Sequence, residues 1–315
     1  PNEYLESLRE DVLTKTKNQL YYPVDPTSRV DAMISGTISC NASGFIPGEK
    51  GATRYWVEGI DIILPSGNHI FVQRGKYISN NGKFIITASD RKIEINIPRY
   101  NRPKIKNASG PYSEPDGEMD FIDLIIGSEG IFCLISRCEL RLAKKPESYI
   151  DLFIGLESED EAVNLHSYIG EVLDNNYGEI SALEYFGYNC SDFMKNREYL
   201  FKEESDVGVY LQIPIFNTSY NDALDLWYSR LSNSELDIDF EKVLVLNEPE
   251  NWKMFFEARH SLPINALERA KELGTVSIIT DTIVPPCNFK QYLSFVHGLL
   301  QENNIEYLLF GHLGD

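Results

Sequence analysis

The part of the chain after residue 146 alternates between two sequence patterns, and this alternation limits the folds open to it. Helix-start signals, in which a capping side chain stands three residues ahead of its partner, occur at Ser158 with Glu161, Asn247 with Glu250, and Asn288 with Gln291. Helices interleaved with β-rich runs predict an α+β fold, with helices on one face of an antiparallel sheet. The β-rich runs lie at 150–156, 208–215, 242–246, 276–284 and 305–310.

The earlier part of the chain has a different sequence pattern. Residues 3–20 carry apolar side chains at helical spacing and lead into Tyr22-Pro23, where the proline disfavours helix. The runs at 57–64 and 69–74 flank a Pro-Ser-Gly turn and predict a β-hairpin. Residues 98–118 are rich in Pro, Gly, Ser and Asn, which predicts an irregular connection.

The charged, proline-containing stretch Lys144-Lys145-Pro146 lies between the regions with these two sequence patterns, and its composition is typical of a linker. The chain has 315 residues, 43% of them apolar, which is enough for about two domains with their own cores. The sequence therefore predicts one domain at 1–146 and a second at 147–315.

Charge and cysteine usage limit the partners and the compartment. The 48 acidic and 29 basic residues give a net charge of -19, which repels nucleic-acid phosphates and anionic lipids. The five cysteines form no CxxC pair, and their odd number favours a reducing compartment. No signal peptide is recognisable, and no apolar run is long enough to cross a bilayer. We therefore expect a cytoplasmic protein with no nucleic-acid partner and no transmembrane segment.

A segment rich in glycine and serine at 34–44 is the first candidate for ligand binding. Its small side chains would let main-chain N–H groups approach a phosphate or sugar closely, and we then expect several of them to be unpaired within the protein. The alternative is an ordinary tight turn, for which the same composition is typical.

Further segments follow in a fixed order, at 51–57, 60–67 and 127–130. In this order the chain resembles the FAD-linked oxidases of the vanillyl-alcohol oxidase and p-cresol methylhydroxylase fold, in the branch of D-lactate, D-2-hydroxyglutarate and glycolate dehydrogenases. The resemblance implies the second part of an FAD-binding domain followed by a cap domain. It also implies FAD contacts at Gly36, Thr37, Ser39, Asn41, Ala42, Ser43, Gly44, Gly51, Arg54 and Tyr55, and near the adenosine end at Gly127, Glu129, Gly130 and Ile131.

Arg259 is the candidate for binding substrate. Trp252, Phe255, Phe256 and Arg259 share one helical face, so the guanidinium points towards the apolar side. Two interpretations stay open on spacing alone: an arginine that reaches the rim or pairs with a protein carboxylate, or one that binds a ligand. The segment at 255–263 is similar to the helix of the family whose arginine binds the substrate carboxylate. The resemblance therefore implies that role for Arg259.

The last residues, 310–315, resemble the start of the Gly-His-x-Gly-Asp-Gly-Asn-x-His motif of the family. The resemblance implies a catalytic role for His312 as the ligand of a divalent metal, zinc or manganese, although a lone histidine after a strand is more often structural. Asp281 is similar to a strand residue of the family. Thr280 replaces a lysine found in hydroxyglutarate-type members, so a second substrate carboxylate is not expected.

The resemblance implies hydride transfer from a 2-hydroxy acid to FAD, with an electron acceptor that the sequence does not specify. The N-terminal glycine-rich subdomain of the family and the rest of its metal motif have no counterpart in the chain. We therefore expect a fragment that is inactive by itself. The alternative is an inactive binding or interaction module that retains the fold.

Overall fold

The protein is described from a computed structural model, in which residues 3–88, 91–99, 112–114, 116–203, 206–278 and 282–313 are described. The chain divides into two compact units, Pro1–Lys145 and Pro146–Asp315, which we call unit 1 and unit 2. Most of the predicted irregular connection at 98–118 lies outside the described residues, and so do Thr280 and Asp281.

Unit 1 combines short helices with small antiparallel sheets, and the predicted hairpin is confirmed. Strands β2 and β3 pair with Ile60 opposite Val72, and β6 pairs with the other edge of β2. Ile60 and Ile62 alternate into the core and are fully buried, as half-buried strands require. The helices are α1 Leu5–Lys15, α2 Ile34–Ser39, α3 Thr53–Trp56 and α4 Phe121–Ile125; the strands are β1 Leu20–Tyr21, β2 Val57–Ile63, β3 His69–Gln73, β4 Lys83–Ala88, β5 Arg91–Asn96, β6 Leu134–Leu140 and β7 Ala143–Lys144.

Unit 2 is built on a five-stranded antiparallel sheet in the order β11-β8-β10-β9-β12. Two of the predicted runs form its long central pair. The strands are β8 Ser148–Leu156, β9 Ala182–Phe186, β10 Val207–Ile215, β11 Val243–Val245 and β12 Phe310–His312; the helices are α5 Glu159–Val172, α6 Cys190–Phe193, α7 Arg197–Leu200, α8 Tyr220–Ser232, α9 Pro249–Glu272 and α10 Phe289–Glu302.

Helices pack on both faces of this sheet, so the prediction of helices on one face was wrong. Helices α5 and α8 cover the face that carries Leu152, Ile154 and Val209. Phe255 of α9 packs on the opposite face, against Phe153 and Tyr210. Both faces of the central strands carry apolar residues, as strands buried on two sides do.

Two of the predicted strands were wrong or misplaced. Residues 275–278 and 282–284 are not in a strand, and the side chains of Val276 and Ile278 are 79% and 86% exposed. The last strand begins at Phe310 rather than at residue 305. Apolar, β-branched composition favours a strand only where a neighbouring strand supplies the hydrogen-bonding partner.

The three predicted helix starts differ in outcome. Ser158 caps α5 by accepting from the N–H of Glu161, which confirms the first. Asn288 is the N-cap of α10, but its side chain makes no capping bond. Asn247 was wrong: α9 begins at Pro249 because proline suits the first helical position. In the part of the chain described, no helix has both the length and the apolar character that a membrane span requires.

Candidate functional site

The segments of unit 1 that resemble FAD-binding sequence lie side by side. The N–H and hydroxyl of Thr53 both donate to the carbonyl oxygen of Ala42, at 3.0 and 2.7 Å. The N–H of Arg54 donates to Oδ1 of Asn41 at 2.9 Å. The N–H of Gly44 donates to the carbonyl of Gly51 at 3.1 Å. These bonds tie residues 41–44 to residues 51–54.

The third segment joins the same region through main-chain hydrogen bonds. The N–H of Gly127 donates to the carbonyl of Ile38 at 3.1 Å, and the N–H of Glu129 donates to the carbonyl of Ser39 at 2.8 Å. Three stretches that are far apart in the sequence therefore meet at the end of α2.

The prediction that residues 36–44 form a loop was wrong for their first part, which is helical, and five of their N–H groups are paired rather than free. Residues Ile34–Ser39 are helical, because Ile34 and Ile38 are spaced to bury on one side of a turn. Five N–H groups bond to carbonyl oxygens of Met33, of the segment itself or of Gly51, so these five are not presented to a phosphate. The donors are Thr37, Cys40, Asn41, Ala42 and Gly44.

Accessibility divides the implied FAD contacts into two groups. The buried group supports the chain: at Gly44, for example, a β-carbon would lie 2.5 Å from the main-chain nitrogen of Asp25. The accessible group is the one able to touch a ligand directly. The buried residues are Thr37, Asn41, Gly44, Gly51 and Arg54; the exposed or half-buried ones are Gly36, Ser39, Ala42, Ser43, Tyr55, Gly127, Glu129, Gly130 and Ile131.

Arg54 binds groups of the protein. Its Nη1 donates to the carbonyl oxygen and to Oδ1 of Asp123, at 3.0 and 2.9 Å, and its Nη2 donates to the carbonyl of Ile126 at 2.8 Å. Arg74 approaches the second oxygen of Asp123 at 3.1 Å. Burial lowers the pKa of Arg54, and the Asp123 carboxylate opposes that change. The network fixes the backbone around α4 rather than presenting a cation to a ligand.

Unit 2 carries a row of polar residues across one face of its sheet. Tyr210 on β10 lies opposite Glu184 on β9, and Glu184 lies opposite His312 on β12. Directly opposed residues of antiparallel strands point to the same face. Tyr210 is 2% exposed and Glu184 6% exposed, so polar groups are buried together here.

Arg259 reaches this row from α9. Its Nε and Nη2 donate to the two carboxylate oxygens of Glu184, at 2.7 and 2.8 Å, with side-chain exposures of 13% and 7%. This is the two-pronged geometry that makes guanidinium–carboxylate pairs strong. Of the two interpretations of Arg259, the structure shows pairing with a protein carboxylate, and that pair stands beside His312.

The described residues lend no support to a metal at His312. Among them, no group of three or more His, Cys, Asp and Glu side chains is placed to hold an ion. Gly314 and Asp315, which continue the motif, lie outside the described residues.

The row continues from Tyr210 to a second buried carboxylate. Oδ1 of Asp151 accepts from the Tyr210 hydroxyl at 2.6 Å and from Nε2 of Gln212 at 2.7 Å. Burial raises the pKa of Asp151, and these hydrogen bonds oppose the rise. Neither Asp151 nor Glu184 was identified from the sequence. Each is a single acidic residue inside an otherwise apolar strand. Buried strands seldom contain an acidic residue unless it is paired, so this pattern could have indicated both.

Comparison with known proteins finds similarity to one family of FAD-linked oxidases and to several dehydrogenases and oxidases. Residues 228–315 match the family described as FAD linked oxidases, C-terminal domain. The chain is 25% identical over 307 residues to D-lactate dehydrogenase of Anaerostipes hadrus, covering 95% of this chain and 54% of that protein. It is 23% identical over 300 residues to glycolate oxidase subunit GlcD of Bacillus subtilis (strain 168), covering 94% and 53%.

A shorter match reaches D-2-hydroxyglutarate dehydrogenase of Stutzerimonas stutzeri (strain A1501), 26% identical over 167 residues, 53% of this chain and 27% of that protein. The chain thus spans about half the length, or less, of these relatives. Among solved structures, alkyldihydroxyacetonephosphate synthase resembles it with a TM-score of 0.60 at 12% identity, over 95% of this chain and 51% of that one. At this identity the likeness shows the fold alone.

Proposed function

We propose that the chain is part of an FAD-linked oxidase and acts in the FAD-dependent oxidation of a 2-hydroxy acid similar to D-lactate. In this proposal unit 1 is part of the FAD-binding domain, and unit 2 is the cap domain that binds the substrate. The observation that carries it is the guanidinium of Arg259, whose side chain is 13% exposed and makes two bonds to Glu184 within the polar row.

Arg259 suits a substrate carboxylate for two physical reasons. A guanidinium presents donors along more than one edge, and the pair with Glu184 involves the edge formed by Nε and Nη2. The edge formed by Nη1 and Nη2 is the one that would meet a substrate carboxylate. The Arg259 side chain is only 13% exposed, and low access to water strengthens a charge-assisted contact.

Glu184 positions this cation. Its two oxygens fix the plane of the guanidinium, and its negative charge offsets the cost of burying Arg259 before substrate arrives. A side chain held in this way loses little conformational freedom when it binds a ligand, which favours affinity.

In unit 1 the residues able to contact FAD are the accessible ones around the end of α2, including Gly36, Ser39 and Gly130. A β-carbon at Gly36 or Gly130 would meet no protein atom within 4 Å, so the backbone there is open to close approach. When bound, FAD supplies the acceptor for the hydride that leaves the α-carbon of the hydroxy acid. The N–H groups of α2 that are bonded within the protein cannot donate to a phosphate. This part of α2 is therefore better suited to van der Waals contact with a flavin.

The test adds FAD to the purified protein, removes free cofactor, and follows flavin absorbance during anaerobic addition of D-lactate, D-2-hydroxyglutarate or glycolate. Because residues 1–315 are expected to be inactive by themselves, the same titration is made on a longer protein that also contains the two segments of the family without a counterpart here. We expect retained flavin that one of these acids bleaches in the longer protein, with L-lactate as the control for stereochemistry. A colourless protein that ignores added FAD would support the alternative of an inactive binding module. Retained flavin that no hydroxy acid bleaches would contradict the proposed substrate class.

A further inference from the structure

A groove in unit 2 lies beside the polar row, where β8 begins and where the β11–α9 connection passes the first turn of α8. Its volume is about 550 Å³. Its lining includes the carboxylate-bearing Asp151 and three aromatic residues, Tyr149, Tyr220 and Trp252. No part of the proposed oxidation accounts for it.

Asp151 differs from the other buried carboxylates that the structure describes. Asp123, Glu184 and Asp206 each form an ion pair, with Arg54, Arg259 and Lys242 respectively. Asp151 is as well buried, at 8% exposure, but its hydrogen bonds come from the neutral side chains of Tyr210, Gln212 and Trp252. Buried charges are normally paired, so the wall of the groove carries a negative charge for which the described residues supply no cation.

The hydroxyl of Tyr220 is a second polar group at this groove. Its oxygen is buried and makes no hydrogen bond within the described residues. Burial raises the pKa of Tyr220, and the nearby charges of Asp151 and Glu248 raise it further, so the local charges are negative. A buried hydroxyl normally has a partner, and a ligand donor would provide one.

The aromatic walls suit the same kind of ligand. Trp252 is held by stacking on Phe256, with ring centroids 4.7 Å apart. The faces of Trp and Tyr rings attract cations, and a carboxylate among aromatic rings is a common arrangement for organic ammonium groups.

We propose that this groove binds a small organic cation, with a protonated amine at Asp151 and Tyr220 and its hydrocarbon part against Tyr149 and Trp252. The site is distinct from the substrate site proposed at Arg259. Trp252 and Arg259 are seven residues apart in α9, about 10 Å along the helix axis. The two sites also select opposite charges, so the cation site does not depend on the proposed oxidation.

The test is calorimetric titration with 2-phenylethylammonium, alongside its neutral counterpart 2-phenylethanol and the anion phenylacetate. A charge-assisted bond predicts that the ammonium binds at least roughly tenfold more tightly than the alcohol. Equal affinity for ammonium and alcohol, or no binding of the ammonium, would overturn the proposal.

Substitutions in the groove test whether the ammonium binds there. Asp151→Asn should lower the ammonium affinity roughly tenfold or more, while Glu171→Gln, which removes the same charge from an exposed position of α5, should leave it unchanged. Tyr220→Phe keeps the ring and should lower affinity several-fold, a readout that remains if Asp151→Asn folds poorly. Equal loss in Asp151→Asn and Glu171→Gln, or full affinity in both groove variants, would contradict the assignment.

Discussion

Unit 1 and unit 2 each bury an arginine against a carboxylate, and the two arginines differ in what surrounds them. Arg54 binds the side chain of Asp123 and also main-chain carbonyl oxygens of α4 and the residue after it. Arg259 is held through two bonds to a side chain, Glu184, on the face of a sheet that also carries Tyr210 and His312. Bonds to main-chain carbonyls fix the path of the backbone, whereas a side-chain pair leaves the backbone intact when it is altered.

The comparison separates structural from functional use of the same residue type. Both arginines stand in segments that resemble functional motifs of the family. Protein groups bind Nη1 and Nη2 of Arg54, while its buried Nε has no hydrogen-bond partner among the described residues. The place of Arg259 near the buried Tyr210 and the half-buried His312 suits a site that binds a small anion, which is why our functional proposal rests on unit 2.

The largest expected effect on stability is in the Arg54 network. Asp123→Ala would leave both Arg54 and Arg74 without their shared carboxylate, so we expect a loss at the upper end of about 3 to 5 kcal/mol. Urea unfolding followed by circular dichroism measures it. The control is Arg137→Ala, which breaks an exposed pair and should cost less than about 1 kcal/mol. Equal losses would show that the network is not structural.

Breaking the pair in unit 2 should have a comparable or somewhat smaller effect. Arg259→Ala leaves Glu184 buried without its cation and should cost about 3 kcal/mol or more. The double variant Glu184→Gln with Arg259→Met should be less destabilised than the sum of the single ones, because neither leaves a charge behind. A double-mutant cycle on unfolding free energies checks this, and simple additivity would contradict the importance of the pair.

Two glycines of the same segment should respond in opposite directions. Gly44→Ala would force a β-carbon against the backbone of Asp25 and should cost about 1 to 3 kcal/mol. Gly36→Ala meets no atom within 4 Å in a helical position and should stabilise by about 0.5 to 1 kcal/mol. Melting temperatures of the two variants decide the matter, and a destabilised Gly36→Ala would mean that the local backbone is not helical.

The smallest expected effect concerns the helix caps of unit 2. Ser158→Ala removes a bond to the N–H of Glu161 and should cost about 1 kcal/mol. Asn288→Ala, at the N-cap of α10, removes no capping bond and should change stability by less than about 0.5 kcal/mol. If the two substitutions cost the same, the capping geometry of α5 is incorrect.

Local signals were sufficient for much of the fold. The Pro-Ser-Gly turn predicted the hairpin of β2 and β3, and Ser158 predicted the start of α5, because both depend on neighbouring residues. The run at 276–284 failed because a strand also needs a partner, which composition does not reveal. Residues 34–39 were misread as a loop because their small side chains hid the helical spacing of Ile34 and Ile38.

Only part of the candidate site could be predicted, because the sequence does not reveal which distant strands pair. Arg259 could be found from the face it shares with Phe255, since that depends on one helix. Its partner Glu184 could not, because the pairing depends on how strands far apart in the sequence align. The resemblance to a family indicates residues by their order, whereas the register of the sheet decides which of them meet.

The central claim, that Arg259 binds the carboxylate of the substrate, is tested most directly in the longer protein described under the proposed function, by titrating flavin bleaching with the hydroxy acid with and without the substitution Arg259→Lys. Lysine keeps the charge but loses the planar two-edged geometry. We predict that the half-saturating concentration of the acid rises roughly tenfold or more while FAD affinity is unchanged. An unchanged half-saturating concentration in a folded variant would contradict the claim.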